Sequence, residues 1–343
     1  MTTVREIAEF AGVSKSTVSL VLNNKPGVSD EMRQTVMNAV SELETIQADD
    51  LLPEKSSSIG LAEHKSQSLS MMVLHPPVLR SSYVFSEVLQ GIQAAAEVFN
   101  IQLRLVANDP SASTQHVSHL YLTDDYLRPD GVLVFGAQRH EPFLEQVVAR
   151  DIPCVVLGRE AKKYHVSGIE RNESYYAYQL TEYLLSLGHR SIAFVGGETC
   201  YDYTNNRLKG YQLALEDAGI MPNEQWICLG NGADATQSIL DTNPNITAII
   251  YVNDSYAVEG ISVLREHNLN IPSDISIASF DDTEFARTHQ PTITSIAYNF
   301  FKEGQWAVRI LLDQIRYPFI EKSQLVFKAD LIKRDSTAPA IDS

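Results

Sequence analysis

The chain has 343 residues, 44% hydrophobic and 20% charged, and a formal net charge of −16. That length predicts two or three compact units with ordinary globular cores. The acid excess excludes a protein that coats nucleic acid indiscriminately, since phosphate contacts need clustered Lys and Arg.

The first predicted helix opens with a capping box, Thr3 accepting the backbone N–H of Glu6 while Glu6 reaches back. Val4, Ile7, Ala8 and Ala11 recur at helical spacing and supply its inward face. Gly12 permits a sharp turn, because glycine alone enters left-handed backbone geometry without steric cost. Ser14 then caps a second helix whose Val18, Val21 and Leu22 face inward, while Lys15, Ser16, Thr17 and Ser19 form a polar outer face. Ser29 or Asp30 starts a third helix with Met32, Val36, Val40 and Leu43 on its buried side. A helix pair joined by a glycine-bearing turn is the helix-turn-helix signature, with a plain three-helix bundle as the alternative on spacing alone. Ser14-Lys15-Ser16-Thr17 mimics the end of a phosphate-binding loop, but the glycine before the lysine and the preceding strand are both missing. Over residues 1–45, Arg5, Lys15, Lys25 and Arg33 stand against Glu6, Glu9, Asp30, Glu31, Glu42 and Glu44. The segment is therefore acidic, and DNA affinity must come from asymmetric charge placement and dimerisation.

Ile7-Ala8, Ala11-Gly12-Val13-Ser14, Ser16-Thr17-Val18-Ser19 and Val21-Leu22-Asn23 resemble the DNA-binding headpiece of the lac/galactose repressor (LacI/GalR) family. The resemblance implies that Lys15 and Ser16 read base edges and that Thr17, Ser19 and Asn23 hold phosphates, as hydroxyls and amides can. Leu20 occupies a base-reading position that many members fill with Arg; it can pack on a thymine methyl but cannot donate to guanine. The implied partner is a pseudo-palindromic double-stranded DNA operator.

Residues 46–68 depart from the family pattern. After Glu42 and Leu43 the hinge-helix motif is absent, Asp49 and Asp50 stand where positive charge suits phosphate, and Pro53 stops a helix. The polar run 54–68 reads as a flexible linker. Leu51 and Leu52 are the remaining candidates for the leucine wedge that family members insert into the minor groove.

From residue 69 the chain alternates apolar runs with amphipathic helices. Strands are expected at Leu69–Leu74, Leu103–Ala107, Gly131–Phe135, Cys154–Leu157, Ser191–Val195, Ala248–Val252 and Ile275–Ser279. Helices are expected at Phe85–Phe99, Tyr175–Leu187 and Arg207–Ala218, among others. This alternation predicts an α/β fold with parallel sheets covered on both faces. The length suggests two lobes with a cleft at the carboxyl ends of the strands. Cys154 lies in an apolar run and is expected to be buried packing; with Cys200 and Cys228 it forms no disulfide or zinc pattern.

Pro129-Asp130-Gly131-Val132, Gly188-His189-Arg190, Arg207-Leu208-Lys209-Gly210-Tyr211, Asn253-Asp254, Phe280-Asp281-Asp282 and Arg334-Asp335-Ser336-Thr337 occur in the family's order. The region is similar to the effector domain of these repressors and to periplasmic sugar-binding proteins. The resemblance implies domains at 1–45 (helix-turn-helix headpiece), 46–68 (divergent linker) and 69–343 (two-lobed, periplasmic-binding-protein-like effector and dimerisation domain). Arg207, Asn253 and Asp281 are then expected to converge on a small-molecule effector, best matched by a sugar or a sugar derivative such as a sugar phosphate. Physically, Arg donates a planar fork, Asp accepts hydroxyl protons and Asn does both. Phe85 and Phe300 match positions where rings line the cleft, and Arg159 faces it in many members. A structural Arg207–Asp281 ion pair, and ordinary core for each Phe, remain open. Ser279, where glycine is usual, would narrow the cleft floor.

No metal-ligand spacing or nucleophilic triad emerges, and His189 reads as structural, so neither enzyme nor cofactor is expected. No stretch suits a membrane helix, and the start lacks a secretory signal's apolar core, so the expected compartment is cytoplasm, with no membrane partner. The last residues carry no leucine heptad, favouring a homodimer. The resulting expectation is a transcriptional repressor controlled by an effector. The alternatives are a sugar-sensing solute-binding protein with weak DNA binding, and a regulator with a protein co-effector.

Overall fold

A computed structural model describes residues 8, 11–22, 28–29, 32–33, 35–36, 69–75, 83–107, 128–136, 142–159, 161, 164–197, 199, 201–243 and 245–340. The chain separates into two compact units, Met1–Gln67 and Ser68–Ser343. The Thr3–Glu6 capping box, Val40, Leu43, Asn23 and the linker residues Leu51 and Leu52 lie outside the described residues, as do the side chains of Ser19 and Leu22.

In the first unit, Gly12 turns the chain at φ +64°, and helix α1 (Lys15–Leu22) follows. Ser14 Oγ accepts the Thr17 N–H at 3.1 Å, the expected cap. Val18 and Val21 pack with Ala8 and Val36, and Val13 and Val28 lie against this cluster. Ser29 Oγ takes the Met32 N–H at 3.3 Å, so the third helix starts at Ser29. One expectation fails here: Met32 is 39% exposed. Position 32 falls in the first turn after the cap, and Val36, one turn on, fills the core in its place.

The second unit runs β1 (Ser70–His75), α2 (Tyr83–Phe99), β2 (Gln102–Ala107), β3 (Gly131–Phe135), α3 (Pro142–Ala149), β4 (Cys154–Leu157) and β5 (Ser167–Arg171). It continues with α4 (Glu173–Ser186), β6 (Ile192–Gly196), α5 (Asp202–Asp217), β7 (Ile227–Leu229), α6 (Gly232–Thr242), β8 (Ala248–Tyr251), α7 (Asp254–Glu266) and β9 (Ser276–Asp281). It closes with α8 (Glu284–Thr288), β10 (Thr294–Ala297), α9 (Phe300–Arg316), β11 (Gln324–Phe327) and β12 (Asp330–Ile332). Among the described residues these strands form two six-stranded sheets, ordered β11-β5-β4-β3-β1-β2 and β12-β10-β9-β8-β6-β7. All pairings in the first are parallel. The second is parallel except for the β10–β12 edge.

The central strands are buried on both faces, which is why they read as unbroken apolar runs such as Gly131–Phe135 and Cys154–Leu157. Cys154 is 1% exposed, and burial pushes its thiol up to about 12, so it is inert packing at neutral pH. The chain passes between the sheets after β5, after β10 and between β11 and β12. One apolar cluster runs through these crossovers, joining Leu133 and Ile92 of the first lobe to Phe194 and Phe280 of the second through Tyr176, Tyr298 and Phe300. Helices α2 and α9 close on each other at Gly91 and Gly304. A Cβ on Gly91 would collide with the Phe301 carbonyl oxygen, and one on Gly304 with that of Val88. His189 is buried, its ring bonded to Thr247 Oγ1, Ser276 Oγ and the Ala338 carbonyl, a structural role at the entry to β6. Among the described residues no helix is long and apolar enough to cross a membrane.

Candidate effector site and recognition helix

Strand β9 ends at Asp281, where the backbone turns through two left-handed residues, Asp281 at φ 98° and Asp282 at φ 49°. Such values are costly for residues with a Cβ and persist only where the surroundings over-determine them. The determinant here is Asp254, the first residue of α7. Its Oδ2 accepts the Thr283 N–H at 2.6 Å and the Thr283 hydroxyl at 2.9 Å. Its Oδ1 accepts the hydroxyls of Ser279 and, at 2.9 Å, Ser295. Ser295 Oγ in turn accepts the Asp282 N–H at 3.1 Å, which completes the clamp. Ser279 thus directs its hydroxyl into this buried network.

Burial and the neighbouring Asp281 charge push the Asp254 carboxyl up to about 7, against the lowering effect of its hydrogen bonds. A carboxyl raised on folding contributes stability that is fully present below about pH 4 and lost as pH rises through about 7. Asp254→Asn is therefore expected to flatten the fall in the melting temperature of the second unit between these limits. A melting-temperature series of both proteins against pH checks this, and parallel curves would contradict it.

Arg207, on α5, is 2% exposed. Its Nε donates to Glu173 Oε2 at 2.6 Å, one terminal nitrogen to the Val252 carbonyl and the other to Asp281 Oδ1 at 3.1 Å. The guanidinium lies 4.3 Å from the Phe280 ring centroid. Tyr298 donates its hydroxyl to Glu173 Oε2 at 2.8 Å. The expected Arg207–Asp281 convergence is thus a direct ion pair, organised from below by Glu173. Burial raises the Asp281 carboxyl, while the Arg207 charge acts in the opposite direction.

The other expected residues surround this centre. Asn253 caps α7, its Oδ1 accepting the Tyr256 N–H at 2.9 Å, directly after the Val252 carbonyl that Arg207 holds. Arg159, just past β4, bonds Asp202 at the start of α5 at 3.1 Å, a link from the first lobe to the second. Phe85 is buried against Phe135 at 5.4 Å between ring centroids. Phe300, 1% exposed, lies beneath the Arg171 guanidinium at 4.6 Å. The Arg159–Asp202 and Arg207–Asp281 pairs both involve α5, the first from just past β4 and the second from the end of β9. The two phenylalanines sit in one apolar cluster.

Several residues of this region were not expected. Arg171, the last residue of β5, makes a two-pronged ion pair with Glu303, with nitrogen–oxygen distances of 2.6, 2.9 and 3.0 Å. Glu303 is fully buried on the inward face of α9, among Phe300, Gly304 and Ala307. A charge at a core position of an otherwise apolar stripe is a signal that periodicity alone contains. Glu173 gives no such signal, because an acid in the first turn of a helix is ordinary.

On α1, Lys15 and Ser16 are exposed, and Thr17 and Leu20 are half-buried. The hydroxyls of Ser16 and Thr17 reach Ser14 Oγ at 2.7 and 2.8 Å, so the helix start presents a small hydroxyl cluster beside the Lys15 side chain.

Two family models match this chain. Residues 3–45 match bacterial regulatory proteins of the lacI family, and residues 181–337 match a periplasmic binding protein-like domain. Together they cover more than half of the chain in the family's domain order. The chain carries a LacI-family helix-turn-helix domain followed by a periplasmic-binding-protein-like domain. It is 29% identical to the ribose operon repressor of Haemophilus influenzae and 28% identical to the transcriptional regulator DegA of Bacillus subtilis, over 98% of each chain in both cases. A solved CelR–cellobiose regulator complex superposes with TM-score 0.74 at 24% identity, covering 98% of this chain and 100% of that one. A LacI-family regulator from Enterococcus faecium with bound ribose gives 0.69 at 25% identity, covering 79% and 100%. A lac repressor dimer bound to operator and the anti-inducer ONPF gives 0.69 at 24% identity, covering 98% and 99%. The chain is thus a DNA-binding transcriptional regulator of the effector-controlled kind.

Proposed function

We propose that this regulator is a cytoplasmic repressor. It binds a pseudo-palindromic double-stranded operator as a homodimer, and a sugar held between the two lobes of residues 69–343 adjusts its affinity. The observation that carries the reading is the Arg207–Asp281 pair at the strained end of β9, beside the Asn253 cap. Planar donors and a carboxylate acceptor at the end of β9 suit a polyol, which offers both partners to each. The ribose named for the Haemophilus repressor and for the Enterococcus regulator supports a sugar. A sugar that binds one lobe arrangement better than the other changes operator affinity by that difference in free energy, and by no more.

In the proposed DNA interface Lys15 and Ser16 read base edges, Leu20 packs on an apolar base feature, and Thr17, Ser19 and Asn23 hold phosphates. Lys15→Ala is expected to relax base preference at one position per half-site, costing about 1–3 kcal/mol on the cognate sequence only. Thr17→Ala is expected to weaken cognate and scrambled DNA about equally. Mobility-shift titrations on the native upstream DNA and single-base variants check both. Equal loss on every sequence with Lys15→Ala would remove that residue from base reading.

A further inference from the structure

Resting on the sugar reading above, we infer that the cleft selects against anionic effectors and takes a neutral or ammonium-bearing polyol, so that a sugar phosphate is rejected. The warrant is the balance of charge around the Arg207–Asp281 centre. Among the described residues, Arg159, Arg171 and Arg207 are the guanidinium groups there. Each already holds a carboxylate: Asp202 at 3.1 Å, Glu303 at 2.6 Å, and Glu173 at 2.6 Å together with Asp281 at 3.1 Å. Carboxylates therefore outnumber guanidinium groups. The adjoining cluster is balanced, Arg287 and Arg334 both being bound to Asp282, with the half-buried Glu87 of α2 close enough to feel Asp281, Asp282 and Arg287.

A phosphate entering this region has to take a guanidinium from its carboxylate. Of the carboxylates at risk, Glu173 and Glu303 have side-chain exposures of 2% and 0% and become uncompensated buried anions when displaced, while Asp281 at 12% and Asp202 at 22% keep some contact with solvent. Hydrogen-bond supply points the same way. Glu173 Oε1 and Thr204 Oγ1 are buried without a hydrogen-bond partner among the described residues. An acceptor left over on a carboxylate is satisfied by a hydroxyl or ammonium donor, which an ionised phosphate oxygen is not. The raised carboxyls of Glu303, Asp281 and Asp254, with burial the largest cause and neighbouring acids contributing, show that the region already resists further negative charge.

The test is calorimetric titration of the full-length protein with matched pairs: ribose and ribose 5-phosphate, glucose and glucose 6-phosphate, with glucosamine and inorganic phosphate added. The expected result is saturable binding of at least one neutral or amino sugar, with its phosphorylated twin weaker by about 100-fold or more. A phosphorylated sugar that binds within tenfold of its neutral twin, or more tightly, overturns the inference and leaves the sugar reading intact. If no sugar binds in either form, the sugar reading falls, and the inorganic phosphate arm decides the charge inference alone. Saturable phosphate binding then overturns it, and no saturation supports it.

Discussion

Replacing Arg207 with Met is expected to lower the stability of the second unit by about 3–5 kcal/mol at pH 8, the cost of breaking a buried ion pair from one side. Arg207 binds two carboxylates and a backbone carbonyl at once, so its removal strands Glu173 at 3% exposure and leaves Asp281 without its charged partner. Among the described residues, the Tyr298 hydroxyl is the hydrogen-bond donor left to the Glu173 side chain. The deficit should shrink on acidification, because the Asp281 carboxyl, already raised by burial, can then bind a proton. Adding Glu173→Gln to Arg207→Met should recover part of the loss, giving a favourable coupling in a double-mutant cycle. Asp281→Asn is the informative contrast. It keeps the Arg207–Glu173 bond, so it should cost little stability while removing the effector response. Urea titrations of the wild type, Arg207→Met, Glu173→Gln, the double variant and Asp281→Asn check the energies. Strict additivity of Arg207→Met and Glu173→Gln would show that the pair does not act as a unit.

Gly304→Ala is expected to destabilise the second unit by about 3 kcal/mol through overpacking, lowering its melting temperature by roughly 6–12 °C. The new methyl group meets the Val88 carbonyl oxygen and the backbone nitrogen of Ile92, not the end of a side chain that can swing away. The helices α2 and α9 have to separate, which opens the apolar cluster holding Phe85, Ile92 and Phe300. Gly219→Ala is the control. A Cβ at Gly219 meets nothing within 4 Å, and its φ of 72° makes backbone strain the sole expected cost. A melting curve of each variant checks this, and an unchanged Gly304→Ala transition would contradict the close approach.

The strands most legible in the sequence were those buried on both faces. Gly131–Phe135 and Cys154–Leu157 have the expected bounds, because a central parallel strand leaves an uninterrupted apolar run. Ser167–Arg171, Ile227–Leu229, Thr294–Ala297, Gln324–Phe327 and Asp330–Ile332 were not anticipated. Each is short, and most contain polar or half-exposed residues that carry little periodic signal. Met32 misled for a related reason, since an apolar residue in the first turn of a helix can point past the core. In the candidate site, motif resemblance singled out Arg207, Asn253 and Asp281 but not the residues that hold them. Glu173, Tyr298 and Asp254 become partners only when the two sheets are folded together. The Glu173–Arg207 bond spans 34 residues of sequence and the Tyr298–Glu173 bond 125.

The central claim is that one chain couples a DNA-reading helix to an effector cleft, and operator affinity measured with and without effector tests it most directly. Fluorescence anisotropy of the full-length protein on its labelled native upstream duplex, with a scrambled duplex as competitor at fixed salt, gives both terms in one titration. The account predicts sequence-preferring binding and a shift of at least about fivefold in its midpoint with a neutral sugar. It further predicts that the shift is lost in Asp281→Asn while binding to DNA persists. Equal affinity for native and scrambled duplexes, unmoved by any sugar, would contradict it.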